Sequence, residues 1–213
     1  MLYLIQMTTG IFGFYAHGRL TAPGDAVQTA KNILDSPTLF RLGTVADVLT
    51  ALVVVILTWC LYVVLKEVDK DLALLAVFLR LVENAVAAGG IFTDFLALRL
   101  LRDTMYLQGF DGRQLQVLAR LLVGGQGLSL QIAFVFLGSG TAVFACLWWR
   151  SRYIPRALAA VGILGASLLA VATVAIMIVP DLGVIGLSYM MPLGVFEISV
   201  GFWLLIKGIA RKE

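Results

Sequence analysis

From Leu42 to Leu65 the chain runs through an almost unbroken apolar stretch in which Asp47 is the only charged residue. At ~1.5 Å per helical residue such a stretch crosses the ~30 Å of hydrocarbon in a bilayer. Similar stretches run from Met1 to about Ala16, Leu72 to Leu98, Leu128 to Trp149, Ala157 to Val179 and Gly186 to Ile206. None alternates with period two, and backbone in lipid must satisfy its own hydrogen bonds, so helices rather than a barrel are expected. Composition agrees, with 61% hydrophobic and 14% charged residues against about 45–50% and about 25% in soluble domains. The mean hydropathy is +0.97, and one soluble core could not hide that much apolar surface. A water-soluble enzyme, a nucleic-acid reader and a disordered chain are excluded. The expected fold is all-α: a polytopic membrane protein, one domain over residues 1–213, with six transmembrane helices (1–16, 42–65, 72–98, 128–149, 157–179 and 186–206).

Charge distribution sets the expected orientation. Lys66 and Lys70, then Arg150, Arg152 and Arg156, then Lys207, Arg211 and Lys212 fall in three short segments on one side of the membrane. Arg19, Lys31, Arg41, Arg99, Arg102, Arg113 and Arg120 are spread over longer stretches on the other. Positive-inside reasoning makes the short side cytoplasmic, with both termini inside. The net charge of +3 therefore reads as topogenic and not as a nucleic-acid patch. Cys60 and Cys146 show no CxxC or Cys/His spacing, so no disulfide framework, zinc site or covalent haem is expected.

The first span starts at Met1 without the basic flank or cleavage site of a signal peptide, and reads as a short helix. After Pro23-Gly24, residues Asp25 to Asp35 place Ala26, Val27, Ala30, Ile33 and Leu34 on one face. That spacing predicts a short amphipathic helix in the first outer loop, lying on the interface. Ser36-Pro37 reads as the start of the second span. The stretch Arg99 to Arg120, with Tyr106 and Phe110, reads as a loop over the outer mouth. Trp148, Trp149 and Trp203 read as interfacial anchors.

Ionisable side chains inside a bilayer cost at least ~2.5–3.5 kcal/mol each, so each needs a reason. Arg80, Glu83, Ala87, Gly90 and Asp94 share one helical face. Glu197 is the only acid of the last span, flanked by Gly194 and Gly201. Counted from the cytoplasmic ends, Arg80 comes out about 13 Å, Glu83 about 18 Å and Glu197 about 15 Å into the membrane. If the third and sixth spans touch, they form a midplane cluster of one cation and two acids, with Asn84 beside it. Arg80 could bridge both acids as a structural clasp. Alternatively one acid is left to hold an exchangeable proton or a cationic group.

A second polar set is expected nearer the outer side: Asp47, about 28 Å above Lys66, with Gln131, Asp94 and the single histidine, His17. One histidine and two aspartates are metal-ligand types, but no spacing selects an ion and a histidine at a helix end reads as solvated. No metal and no cofactor are expected. No HExxH, GxSxG, P-loop or strand-linked GxGxxG is present. Paired glycines such as Gly89-Gly90, Gly124-Gly125, Gly138 with Gly140 and Gly162 with Gly165 read as close helix contacts. Pro192, a turn before Glu197, is placed to kink the last helix.

Short motifs in order along the chain resemble a bacterial membrane family. They are Gly10-Ile11-Phe12, Pro23-Gly24-Asp25-Ala26, Asn32-Ile33-Leu34, Leu39-Phe40-Arg41-Leu42-Gly43, Leu61-Tyr62-Val63-Val64-Leu65-Lys66, Phe78-Leu79-Arg80-Leu81-Val82-Glu83 and Ser151-Arg152-Tyr153-Ile154-Pro155-Arg156, closing with Glu197 and Trp203-Leu204-Leu205-Ile206-Lys207-Gly208. The chain is thereby similar, over essentially its whole length, to the family called domain of unknown function 4386. The resemblance implies a six-helix bacterial inner-membrane protein, puts Arg80, Glu83 and Glu197 at motif positions, and implies residues ahead of Met1 and a shortened first helix. It implies no activity.

Three functional readings follow. The first is a small-solute or lipophilic-ligand binding, transport-like protein with Glu83 and Glu197 as proton or cation sites and Arg80 as counter-charge. The second is a non-catalytic interaction or regulatory subunit acting through a partner membrane protein. The third and weakest is an intramembrane enzyme. Expected partners are membrane lipids, a second copy or another membrane protein, and a small lipophilic ligand. Small size and the lack of an inverted repeat weigh against transport by a single copy.

Overall fold

A computed structural model describes residues 1–103, 109–185 and 188–209. Among these, every regular element is helical: α1 Leu2–Leu20, α2 Ala26–Asp35, α3 Pro37–Leu65, α4 Lys70–Arg102, α5 Gly112–Ser151, α6 Arg156–Ile178 and α7 Met191–Ile206, with two short 3-10 segments, Pro180–Ile185 and Ser188–Met190, before the last. Tyr106, Gly186, Arg211 and Lys212 lie outside the described residues.

Among the described residues, five helical segments are long and apolar enough to cross a membrane: α3, α4, α5, α6 and Ser188–Ile206. α1 is 19 residues long but is not among them, because Gln6, Thr8, Thr9, His17, Arg19 and three glycines dilute its apolar residues. Only 22–39% of each spanning window is buried, and Leu121, Leu164, Val171 and Ile178 point outward. An apolar exterior of this extent is matched to hydrocarbon and would aggregate in water.

Local chemistry sets the helix ends. Gly24, at φ 75°, takes the left-handed turn, and the Asp25 carboxylate then accepts the Gln28 N–H at 2.9 Å to start α2. Pro37 opens α3, where its missing N–H costs nothing, and the Ser36 carbonyl accepts from the Phe40 N–H. Asp69 caps α4 by accepting the Leu72 N–H at 3.1 Å. Pro192 lies in the first turn of α7, so it starts that helix and does not kink it. The segment read as an outer loop, Arg99 to Arg120, is largely helical: α4 continues to Arg102 and α5 already begins at Gly112. Gln114, Gln126 and the Gly124–Gly127 region lower the hydropathy there without breaking the helix. At 40 residues, α5 is ~60 Å long, about twice a hydrocarbon core.

The described residues divide into two compact units: one of residues 1–7, 52–85, 131–185 and 188–209, the other of 8–51, 86–103 and 109–130. The core of the first gathers Leu61, Phe144, Trp148, Leu169, Phe196 and Val200, among others. Glycines make its closest contacts. A Cβ on Gly138 of α5 would come within 2.5 Å of the Ala166 carbonyl oxygen of α6. One on Gly162 of α6 would come within 2.5 Å of the Phe196 ring of α7. Trp148 is fully buried and not interfacial, because the turn after α5 brings Tyr153 edge-on to it at 6.3 Å. Trp149 is exposed, with the Arg156 guanidinium 5.7 Å from its ring.

The second unit is centred on Phe40, Leu20, Ile33, Leu98 and Val123. α2 contributes Ala30 and Ile33 to that core, whereas Val27 and Leu34 stay exposed. Thr29 ties α2 to the preceding turn, its hydroxyl accepting the Ala22 N–H at 3.0 Å and donating to the Asp25 carbonyl at 2.7 Å.

Candidate functional site

Each unit buries one polar cluster. In the first, α4 supplies Arg80 and Glu83, α7 supplies Glu197 and α1 supplies Gln6, all buried. Arg80 and Glu83 lie one turn apart on the same helix, with Nη1 and Oε2 at 3.3 Å. This is an ion pair without hydrogen-bond alignment. The Arg80 stem fits against Gly140 of α5, where a Cβ would meet Cγ at 3.0 Å and Cδ at 3.2 Å. Glu197 accepts a hydrogen bond from the Gln6 amide at 3.4 Å. It is within electrostatic reach of both Arg80 and Glu83, yet among the described residues no cation forms an ion pair with it. The arginine is thus committed to one acid, and a clasp bridging both is not what these side chains form. Asn84 is half-buried beside Glu83. Tyr3, one turn before Gln6, is within electrostatic reach of Glu197 and Arg80. It also lines an apolar cavity of about 200 Å³ with Leu57, Leu61, Trp148 and Leu204.

In the second unit His17 of α1, Asp47 of α3 and Asp94 of α4 converge. His17 Nε2 lies 3.0 Å from Asp47 Oδ2 and 3.7 Å from Asp94 Oδ2. The histidine is buried, not solvated, and its ring meets Phe40 edge-on at 5.2 Å. Asp94 is 0% exposed, and among the described residues neither of its carboxylate oxygens accepts a hydrogen bond. Gln126 of α5 donates to Asp47 Oδ2 at 3.1 Å. Gln131 falls in the first unit and not in the unit that holds the set. Asp94 shares a face of α4 with Arg80 and Glu83, yet its neighbours are His17 and Asp47.

Gln6, Tyr3 and Gln126 were not singled out by the sequence. Gln6 carried a signal, being a polar amide in an apolar stretch, and so did Gln126, set among Gly124, Gly125 and Gly127. A third signal is a glycine one turn before each member of the second cluster: Gly13 before His17, Gly43 before Asp47 and Gly90 before Asp94. A Cβ on Gly13 would run into the Asp47 carboxylate, and one on Gly43 would lie 2.8 Å from Ala16 Cβ and 3.3 Å from His17 Nε2. A Cβ on Gly90 would meet Ser129 Cβ at 3.0 Å and Gln126 Cα at 3.1 Å. On α1 and α3 each glycine makes room for the polar side chain of the other helix.

The family model described as Domain of unknown function (DUF4386) matches residues 1–208. The chain belongs to that family. No curated protein and no solved structure matches it.

Proposed function

We propose that this member of the DUF4386 family is a multi-pass protein of the bacterial cytoplasmic membrane that binds a small lipophilic or cationic solute in a transport-like cycle. Glu197 is the exchangeable acid, and Glu83 with Arg80 is the fixed charge frame. One observation carries the reading: among the described residues Glu197 is buried with one 3.4 Å bond from an amide, while the nearby guanidinium pairs with Glu83. An acid so placed is costly as a bare anion, and a proton or an ammonium group relieves it. The Tyr3-lined cavity supports the same reading. At about 200 Å³ it is smaller than the ~300–1,000 Å³ of ordinary ligand clefts, so its ligand is small. α1 acts as the sixth span and carries Gln6 and Tyr3 to the site. Lys66, Lys70, Arg150, Arg152, Arg156 and Lys207 face the cytoplasm under the positive-inside rule, and α2 lies on the opposite interface.

The test uses the purified full chain with phenethylammonium, an aromatic cation of suitable size, read by tryptophan fluorescence because Trp148 lines the cavity. Wild type should bind saturably and Glu197→Gln should bind at least about tenfold more weakly, a loss of ~1.4 kcal/mol. Proteoliposomes loaded with a pH dye should show solute-dependent proton movement that the variant lacks. Equal binding by both proteins, or no binding and no proton movement in wild type, overturns the proposal.

A further inference from the structure

The second cluster plays no part in that reading. We propose that His17, Asp47 and Asp94 form a binding site for one divalent transition-metal ion, held by His17 Nε2 and one oxygen from each carboxylate. One donor atom from each residue lies within 4.8 Å of the others. Around an ion with ~2.0–2.2 Å bonds, neighbouring donors of a tetrahedron sit ~3.4 Å apart. The 3.0 Å and 3.7 Å separations from His17 Nε2 bracket that value, and the two carboxylate donors, within 4.8 Å of each other, close on an ion by side-chain rotation.

The observation that points to a ligand is Asp94. It is fully buried and its Oδ2 lies 3.7 Å from His17 Nε2, with both oxygens lacking a hydrogen bond among the described residues. A buried carboxylate normally has its acceptors filled. Here nothing on α1, α3 or α5 fills them, and a metal ion would. Charge balance agrees: a neutral imidazole and two carboxylates cancel a dication, whereas a protonated imidazole leaves a net negative charge in low dielectric. The nitrogen donor favours a first-row transition ion or zinc over calcium or magnesium, which take all-oxygen shells.

The surroundings hold the three donors in place. Gln126 donates to Asp47 Oδ2, the same oxygen that faces His17, and so fixes the orientation of that carboxylate as neighbours of metal ligands do. Phe40 sets the plane of the imidazole ring. Thr50 donates to the Thr9 hydroxyl at 2.7 Å, joining α3 to α1, and Gly13 and Gly43 let the two donors interleave. Asp47 keeps a 17% exposed side chain, so the cluster is not fully sealed.

The decisive experiment titrates the chelator-stripped full chain with Co²⁺, whose visible absorption intensifies on low-symmetry coordination by nitrogen and oxygen, followed by displacement with Zn²⁺. One equivalent should bind with an enhanced band and be displaced by one equivalent of Zn²⁺. His17→Gln and Asp94→Asn should each weaken binding by at least about 10–100-fold, while Glu197→Gln leaves it unchanged. Wild type settles the matter even if a variant fails to fold: absence of the enhanced band overturns the site. Binding by folded His17→Gln and Asp94→Asn as tight as wild type overturns it too.

Discussion

The two buried clusters solve the same problem in different ways. In the unit holding Arg80, the positive charge is part of the chain: a guanidinium sits 3.3 Å from Glu83, with its stem accommodated by Gly140. In the unit holding His17, two aspartates converge on an imidazole that has no permanent charge, and Asp94 has no hydrogen-bonding partner among the described residues. In the proposed reading, the built-in counter-charge occupies Glu83 and leaves Glu197 as the acid that takes a ligand, and the cluster without one takes its positive charge from a bound ion. Burial is similar in both, so what separates them is the residue type at the centre.

The largest expected break in this comparison comes from Arg80. Arg80→Met should destabilise the protein by about 3–5 kcal/mol, because Glu83 is left buried and unpaired. Adding Glu83→Leu should recover most of the loss, as measured by denaturant titration in detergent. If the single change costs less than about 1 kcal/mol, the built-in counter-charge is not what holds that cluster. Next are the glycines. Gly13→Ala drives a methyl into the Asp47 carboxylate and should cost about 1–3 kcal/mol. Gly140→Ala meets the flexible Arg80 stem at 3.0 Å and the Leu79 Cβ at 3.2 Å, and the ~1 kcal/mol gained from helix propensity offsets part of that milder crowding, so its cost should be smaller. Equal costs for the two would remove the distinction.

Asp94→Asn sharpens the contrast by its sign. In chelator it should stabilise the protein, by on the order of 1 kcal/mol, since a buried carboxylate whose only ion-pair partner among the described residues is His17 at 3.7 Å becomes a neutral amide. With Zn²⁺ present it should leave the protein less stable than wild type, because the bound ion stabilises only the latter. Thermal midpoints with and without Zn²⁺ read both. The smallest effect lies outside either cluster. Arg152, at φ 58°, ends α5 in the left-handed region, and Arg152→Gly should stabilise by about 0.5–1 kcal/mol.

Helical class and the central spans could be read directly from the sequence, because Leu42–Leu65 or Ala157–Val179 allow little besides a membrane helix. Arg80, Glu83 and Glu197 were legible as costly residues in apolar runs, but their pairing was not. Helical spacing places Arg80 beside Glu83, whereas the choice of Gln6 for Glu197 depends on how α1 packs. The start of α5 was hidden because Gly112–Gly127 is polar and glycine-rich, yet its residues satisfy their backbone as one continuous helix. Burial of His17 was hidden for a related reason. A histidine one residue past an apolar run reads as solvated until the glycines of α1 and α3 bring Asp47 to it. Trp148 was misread because tryptophan beside arginine has the composition of an anchor, while the turn at 151–155 encloses it.

The central claim is that Glu83 is held by its arginine and Glu197 is the acid free to exchange. Carboxyl infrared difference spectra across pH, on wild type, Glu83→Gln and Glu197→Gln, test it most directly. The account predicts a protonated-carboxyl band that comes and goes with pH in wild type, persists in Glu83→Gln and is lost in Glu197→Gln. Loss of the band in Glu83→Gln with its persistence in Glu197→Gln, or no such band in wild type, would contradict it.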